Sequence, residues 1–354
     1  MNNKKRYKFL PQAETGRLSE NDTKKYFSTL GFAVSAFILA TSGAALAISI
    51  ICSMWFPWVL ENDILSKLIS MVCQYGLGLP ALMLVLSRLP KDTNPKEKLG
   101  FKQLFGYFCL CLTFMSVGSN ISTSITSFFE GMLGKTILNP VETSTSGTHW
   151  AINLVFYAIL APILEELVFR KLICDRLLPL GELYAVFLSA AVFALSHGNF
   201  HQFFYAFFVG SIFSYIYVKS GNLVYTTVIH MIINLLGGVI SPWAMDKLEP
   251  IMTEESINTM LEMWTEQGAS EELVAMLSPY ILPVYVLFAY ILIINVFSII
   301  GFVVLMKNLR RVRFADGLLR PAEENRVSNL FLNGGVCAAI SLFTGFFLIS
   351  LFKK

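Results

Sequence analysis

Glu165, Glu166 and Arg170 stand in the run APILEELVFRKL (residues 161–172), which is otherwise apolar enough for a membrane span. A charged side chain at the centre of a bilayer costs roughly 2.5–3.5 kcal/mol even on the milder insertion scales. Three such groups within one short stretch call for a reason other than stability. Few other polar groups share this position inside apolar runs: His197, His230 and, one helical turn after it, Asn234. Glu166 and Arg170 are four apart, so on a helix they share a face and pair. Glu165 is rotated from them by about 100° and has no local cation. The trio therefore divides into a neutralised carboxylate and a leftover one, and a leftover carboxylate near imidazoles is equipped to take a proton from water. The bland alternative is a buried ion pair that fixes helix register, with the histidines as ordinary packed groups. Leaving Glu165 unneutralised would be a poor route to stability, which favours the chemical reading.

The elements that must position these groups follow from composition. Of 354 residues, 55% are hydrophobic and 14% charged, against about a quarter charged in soluble domains. The apolar runs are too long for barrel strands, which need about 9–11 residues. The pattern predicts an all-α, polytopic transmembrane helical bundle of about eight to nine spans enclosing a polar cavity. The expected spans lie near 29–55, 63–88, 103–128, 150–178, 183–198, 203–218, 222–242, 279–306 and 329–351, with 183–198 and 203–218 short enough to be partly re-entrant. Pro179, Leu180 and Gly181 read as a tight turn. At 1.5 Å per residue, Glu165 and His197 then lie about 21–24 Å from that turn on antiparallel neighbours, hence level with each other. His230 and Asn234 enter from the same side to about 12 and 18 Å. With tilt and side-chain reach closing the remaining gap, residues from three distant helices converge on one buried patch.

Charge distribution gives orientation and organisation. Lys4, Lys5, Arg6, Lys8, Arg17, Lys24 and Lys25 open the chain, Arg88, Lys91, Lys96, Lys98 and Lys102 follow the second span, and Lys307, Arg310, Arg311, Arg313, Arg320 and Arg326 precede the last. With alternating spans all three groups fall on one side, which the positive-inside rule makes cytoplasmic. Lys353 and Lys354 then fall outside, a mild conflict. The expected organisation is a basic cytoplasmic N-terminus (1–28) without a cleavable signal, N-terminal transmembrane helices (29–149), a catalytic core (150–242), an acidic extracytoplasmic insert (243–278), and C-terminal helices with a basic cytoplasmic loop (279–354). The insert places Ile257, Met260, Leu261 and Trp264 at helical spacing, so it reads as an amphipathic helix that either connects spans or caps a cavity mouth. The six cysteines fall in or beside apolar runs and form no CxxC, so they read as free buried thiols.

Three motifs in order carry a resemblance: Glu165-Glu166-Leu-Val-Phe-Arg170 (E-E-x-x-x-R), Phe193-Ala-Leu-Ser-His197 (F-x-x-x-H) and His230-Met-Ile-Ile-Asn234 (H-x-x-x-N). With the lead-in GSIFSYIYVKSGNLVYTTVIHMIIN, the chain resembles the CAAX prenyl protease and bacteriocin-processing (CPBP, Abi) family of intramembrane proteases over about residues 150–240. The resemblance implies that Glu165 activates the hydrolytic water, that Glu166 and Arg170 hold the helix and tune that base, and that His197 orients or deprotonates the water. It implies that His230 and Asn234 polarise the scissile carbonyl and stabilise its oxyanion. The implied substrates are membrane-associated proteins or peptides, prenylated or bacteriocin-like, at the lipid bilayer of a bacterial plasma membrane, with no nucleic-acid partner. The family is often labelled a metalloprotease. No HExxH is present, yet His197, His230 and Glu165 would be the three ligands of a divalent metal such as zinc if one is used, with Glu166 then the base. A proton-coupled transporter is the reading from another class, since intramembrane Glu and His chains serve that purpose too. A non-cleaving bacteriocin-immunity protein of the same fold is a third.

Overall fold

The computed structural model describes residues 16–92 and 97–352. In chain order its main helices are α1 (Glu20–Trp55), α2 (Asp63–Leu86), α3 (Phe101–Leu133), α4 (Trp150–Leu180), α5 (Glu182–Ser196), α6 (Phe200–Ser220), α7 (Leu223–Ile251), α8 (Glu254–Gln267), α9 (Glu271–Arg311) and α10 (Gly334–Phe352). Eight of these are long and apolar enough to cross a membrane, and the shorter α5 is also apolar. Extended backbone among the described residues is limited to two isolated bridges, Arg17 with Arg320 and Gly181 with Asp316. The protein is an all-α, multi-pass membrane bundle.

Helix starts follow local chemistry. α1 begins at Glu20, ahead of the apolar run, because the Ser19 hydroxyl accepts the Asp22 N–H and acidic residues fill its first turn. Close packing relies on small residues, as expected where lipid removes the hydrophobic drive between helices. α10 lies against α1 where Gly31 meets Gly335, so closely that a Cβ on Gly31 would sit 2.2 Å from the Gly335 carbonyl carbon. α3 and α9 meet at Gly301, and the Thr113 hydroxyl donates to the Ser298 carbonyl across that seam (2.7 Å).

The described basic segments gather at one end. Leu18 N–H donates to the Arg320 carbonyl (2.8 Å), Arg320 N–H to Gly16 (2.7 Å), Leu319 N–H to Pro179 (2.7 Å), and Asp92 N–H to the Asp175 carbonyl (2.8 Å). At the same end Lys219 pairs with Glu182, closing the α5–α6 hairpin. α10 starts here, where Gly335 N–H meets the Ser28 hydroxyl (3.0 Å), and finishes at the other end, where Lys135 lies over the Phe352 ring (5.2 Å). An odd number of passes thus leaves the chain's end opposite the basic face. Lys4, Lys5, Arg6, Lys8, Lys96, Lys353 and Lys354 lie outside the described residues.

The inner wall is α4, α5, α6 and α7. α5 reaches only about 22 Å at 1.5 Å per residue, so the chain reverses inside the bundle. Gly198 adopts φ +65° at this reversal, and the Asn199 side chain caps α6 by accepting the Gln202 N–H (2.9 Å). His197 sits at that point. Within the acidic segment α8 forms as the periodicity predicts, with Ile257, Leu261 and Trp264 exposed. All six cysteines are free. Five are buried, but Cys337 is exposed, because its position on α10 faces outward.

Candidate active site

The Glu165–Glu166 pair lies on a short α-helical stretch of α4, Ala161–Glu166, between two π-helical segments, Leu154–Leu160 and Leu167–Cys174. Two more π segments flank the same region, Val72–Gly78 in α2 and Leu236–Ile240 in α7. π turns occur mostly as local bulges, frequently at functional sites. Side chains make hydrogen bonds to the widened backbone: Asn234 donates to the Tyr157 carbonyl (2.9 Å) and Ser189 to the Phe169 carbonyl (2.7 Å).

Glu166 and Arg170 are both fully buried, with Arg170 Nε 3.1 Å from Glu166 Oε2. The guanidinium lies over two aromatic faces, with Cζ 4.7 Å from the Phe193 ring centre and 5.3 Å from that of Phe213. Such stacking is the favourable setting for a desolvated arginine. The second carboxylate oxygen of Glu166 accepts a hydrogen bond from His230 Nδ1 (3.0 Å). This fixes the ring, as a carboxylate behind a functional histidine does. His230 Nε2 then lies 3.6 Å from Glu165 Oε2. Arg170, Glu166, His230 and Glu165 thus form a continuous chain, the first two members sealed in protein.

Glu165 is the member that meets open space. Its side chain is 20% exposed and stands at the inner end of a cavity of about 620 Å³. The wall includes Ser66, Lys67, Ser70, Gln74 and Tyr75 of α2, Ser144, Ser146 and Thr148 of the α3–α4 connection, and Tyr157 of α4. His197 is within electrostatic reach of both Glu165 and His230. Its Nδ1 donates to the Phe193 carbonyl (2.9 Å), which leaves Nε2 for other partners, and its ring meets Phe193 edge-on (4.9 Å). Phe193 therefore touches Arg170, His197 and His230 together, which gives the aromatic position of F-x-x-x-H a physical purpose. Asn234 is half-buried on the same helix as His230, one of its amide hydrogens committed to Tyr157.

Residues 147–236 match the family model described as Rce1-like: Type II CAAX prenyl endopeptidase Rce1-like. Over this segment the chain is similar to the type II CAAX prenyl endopeptidases. No curated protein and no solved structure matches the chain in parallel comparisons. The matched segment contains Glu165, Glu166, Arg170, His197, His230 and Asn234. Its boundaries leave out α2, which supplies the facing cavity wall.

The proposed metal ligands His197, His230 and Glu165 are neighbours, but among the described residues no three His, Cys, Asp or Glu side chains gather as a metal-holding group. His230 Nδ1 is bonded to Glu166 and His197 Nδ1 to the Phe193 carbonyl, which leaves Nε2 as the outward atom of each ring. The walls of the cavity include no residue of α8. Sequence reasoning also passed over the α2 wall. Asp63, Ser66, Lys67, Ser70 and Gln74 recur at helical spacing within a candidate span, and that polar stripe was the available signal.

Proposed function

We propose that this protein is an intramembrane endopeptidase in which Glu165 activates the hydrolytic water. The observation that supports it is the position of Glu165: it alone of the buried charged chain faces the cavity, with His230 Nε2 beside it and the Glu166–Arg170 pair holding that imidazole from behind. A peptide entering the cavity brings its scissile carbonyl to this point. Glu165 takes a proton from water as the water oxygen bonds to the carbonyl carbon. The C–N bond then breaks and the proton passes to the leaving amine. His230 and His197 orient the water and polarise the carbonyl, and the remaining amide hydrogen of Asn234 donates to the developing oxyanion. No step in this reading runs through a metal.

The substrates in this reading are proteins or peptides held at a bacterial plasma membrane. The deciding experiment compares purified wild-type protein with Glu165→Gln on a panel of prenylated and unmodified membrane peptides. Cleavage by the wild type and not by the folded variant is the expected result. Equal cleavage by both would end the assignment of Glu165, and proton-driven uptake into proteoliposomes without any cleavage would favour a transporter.

A further inference from the structure

We infer that the site is served from the end of the bundle opposite the basic loops, along a polar path built on α2, and that its substrates are peptide segments presented on the extracytoplasmic face. This rests on the peptidase reading of Glu165 and adds to it the side of the membrane on which the enzyme works.

The first observation is the stripe on α2. Asp63, Ser66, Lys67, Ser70 and Gln74 follow one another at intervals of three, one, three and four, all on one helix face, and all line the cavity that ends at Glu165. Apolar Ile64 and Leu68 point elsewhere and are exposed on the outside of the bundle. In hydrocarbon such a stripe is costly unless it borders water or protein polar groups. Across from it run Ser144, Ser146 and Thr148, and this wall is tied down. Asp246 accepts from the Ser146 hydroxyl (2.7 Å) and from Gly147 N–H (3.0 Å), and Lys67 reaches Thr148 Oγ1 (3.5 Å). The path is thus a fixed cleft running from the Asp63–Thr148 rim inward to the carboxylate.

The second observation is that the other end of the site is filled. Beyond Arg170 toward the basic face, Tyr217 donates to Asp175 Oδ1 (2.7 Å) and Lys171 pairs with Asp175 (2.9 Å). Arg176 Nε donates to the Leu86 carbonyl (2.8 Å), and Tyr26 donates to the Arg176 carbonyl (2.5 Å). Cys174, Leu177, Leu178 and Leu180 pack around them, all buried. A peptide would have to displace this cluster to arrive from the basic side.

The third observation is charge. The lysines and arginines in described segments of the cavity-mouth end are Lys67, Lys135 and Lys247, whereas Glu61, Asp63, Glu130, Glu142, Asp246, Glu249, Glu254, Glu255, Glu262, Glu266, Glu271 and Glu272 lie there. The remaining described cations, apart from the buried Arg170, sit at the opposite end. Excess lysine and arginine in short loops marks the cytoplasmic face, so the cavity faces away from it. The substrate class that follows is exported peptides and the extracytoplasmic loops or termini of membrane proteins, and not C-termini displayed to the cytoplasm.

The test uses the full-length protein with Cys337→Ser as background, since Cys337 is the exposed native thiol. Ser66→Cys, Ser70→Cys and, in the basic-end loop, Asp316→Cys are each treated with a membrane-impermeant maleimide, in intact spheroplasts and in inverted vesicles. The expected pattern is labelling of Ser66→Cys and Ser70→Cys in spheroplasts and of Asp316→Cys only in inverted vesicles, with labelled Ser70→Cys losing cleavage of a fluorogenic peptide library in detergent. The reverse labelling pattern overturns the inference whether or not the protein cleaves. Full cleavage by labelled Ser70→Cys shows that the path does not serve the site and overturns it too. The expected labelling with no cleavage by the unlabelled protein instead removes the peptidase reading, and the substrate class with it, while the outward-facing path stands.

Discussion

Replacing Arg170 by methionine is the perturbation whose size follows most directly from the geometry. Glu166 and Arg170 are fully buried and 3.1 Å apart, and no solvent can take over the role of either partner. Removing one member of a buried pair leaves an uncompensated charge and typically costs about 3–5 kcal/mol. The guanidinium also stacks on Phe193 and Phe213, adding about 0.5–2 kcal/mol for each desolvated face. Methionine fills much of the vacated volume, so the cavity penalty is small and the charge dominates. The expected loss is at least about 3–5 kcal/mol from the charge alone, a hundred- to several-thousand-fold shift in the folding equilibrium. Glu166→Gln in the Arg170→Met background removes the orphaned charge and should restore a large part of this. Denaturant unfolding of the four proteins of the cycle, in one detergent and followed by tryptophan fluorescence, gives the coupling energy directly. A single-variant loss below about 1 kcal/mol, or strictly additive effects, would show that the pair does not hold the helix and would remove the support argued for His230.

Glu165→Gln should lower kcat by at least about 10²–10⁴ with little change in unfolding midpoint, because its carboxylate faces the cavity. Combining it with His230→Gln should add little further loss in a cleavage assay, since groups that act as a unit are not additive; multiplying losses would refute the shared role. Chelation should leave peptide cleavage intact if Glu165 alone activates the water; loss of activity restored by zinc would overturn the metal-free reading. Gly210→Ala should cost about 1–3 kcal/mol and reduce cleavage, because its Cβ would stand 2.8 Å from Phe193 Cδ1 and push the ring that contacts Arg170, His197 and His230.

Much of the site was legible because membrane sequence is sparing with charge. Glu165, Glu166, Arg170, His197 and His230 are conspicuous in apolar runs, and a rise of 1.5 Å per residue was enough to bring His197 level with Glu165. The Glu166–Arg170 pair also followed from spacing alone. The His230–Glu166 bond did not, since spacing fixes which residues share a face but not how two helices are rotated against each other. The α2 wall was legible as a polar stripe but read only as part of a span, because hydropathy over the whole segment outweighs five scattered polar residues.

Three of the four π segments share a sequence cause that leads to one more test. Val72–Gly78 is followed at the second residue by Pro80, Leu154–Leu160 by Pro162, and Leu236–Ile240 by Pro242. Proline has no N–H to give the turn before it and its ring crowds the carbonyl four residues back, so the preceding turn widens. All three widened turns border the cavity or the Asn234–Tyr157 contact, and Pro162 stands three residues before Glu165. Proline inside a helix costs about 3 kcal/mol, so Pro162→Ala should let the α-helical ladder close and make the protein more stable by up to about that amount. The closed ladder would also rotate the Leu154–Leu160 turn against Glu165, move the Tyr157 carbonyl from Asn234, and reduce cleavage. Greater stability with lower activity is the expected pair of readings from thermal unfolding and a peptide assay. A Pro162→Ala protein that cleaves as well as the wild type would show that the widened turn is not what aims Glu165 into the cavity.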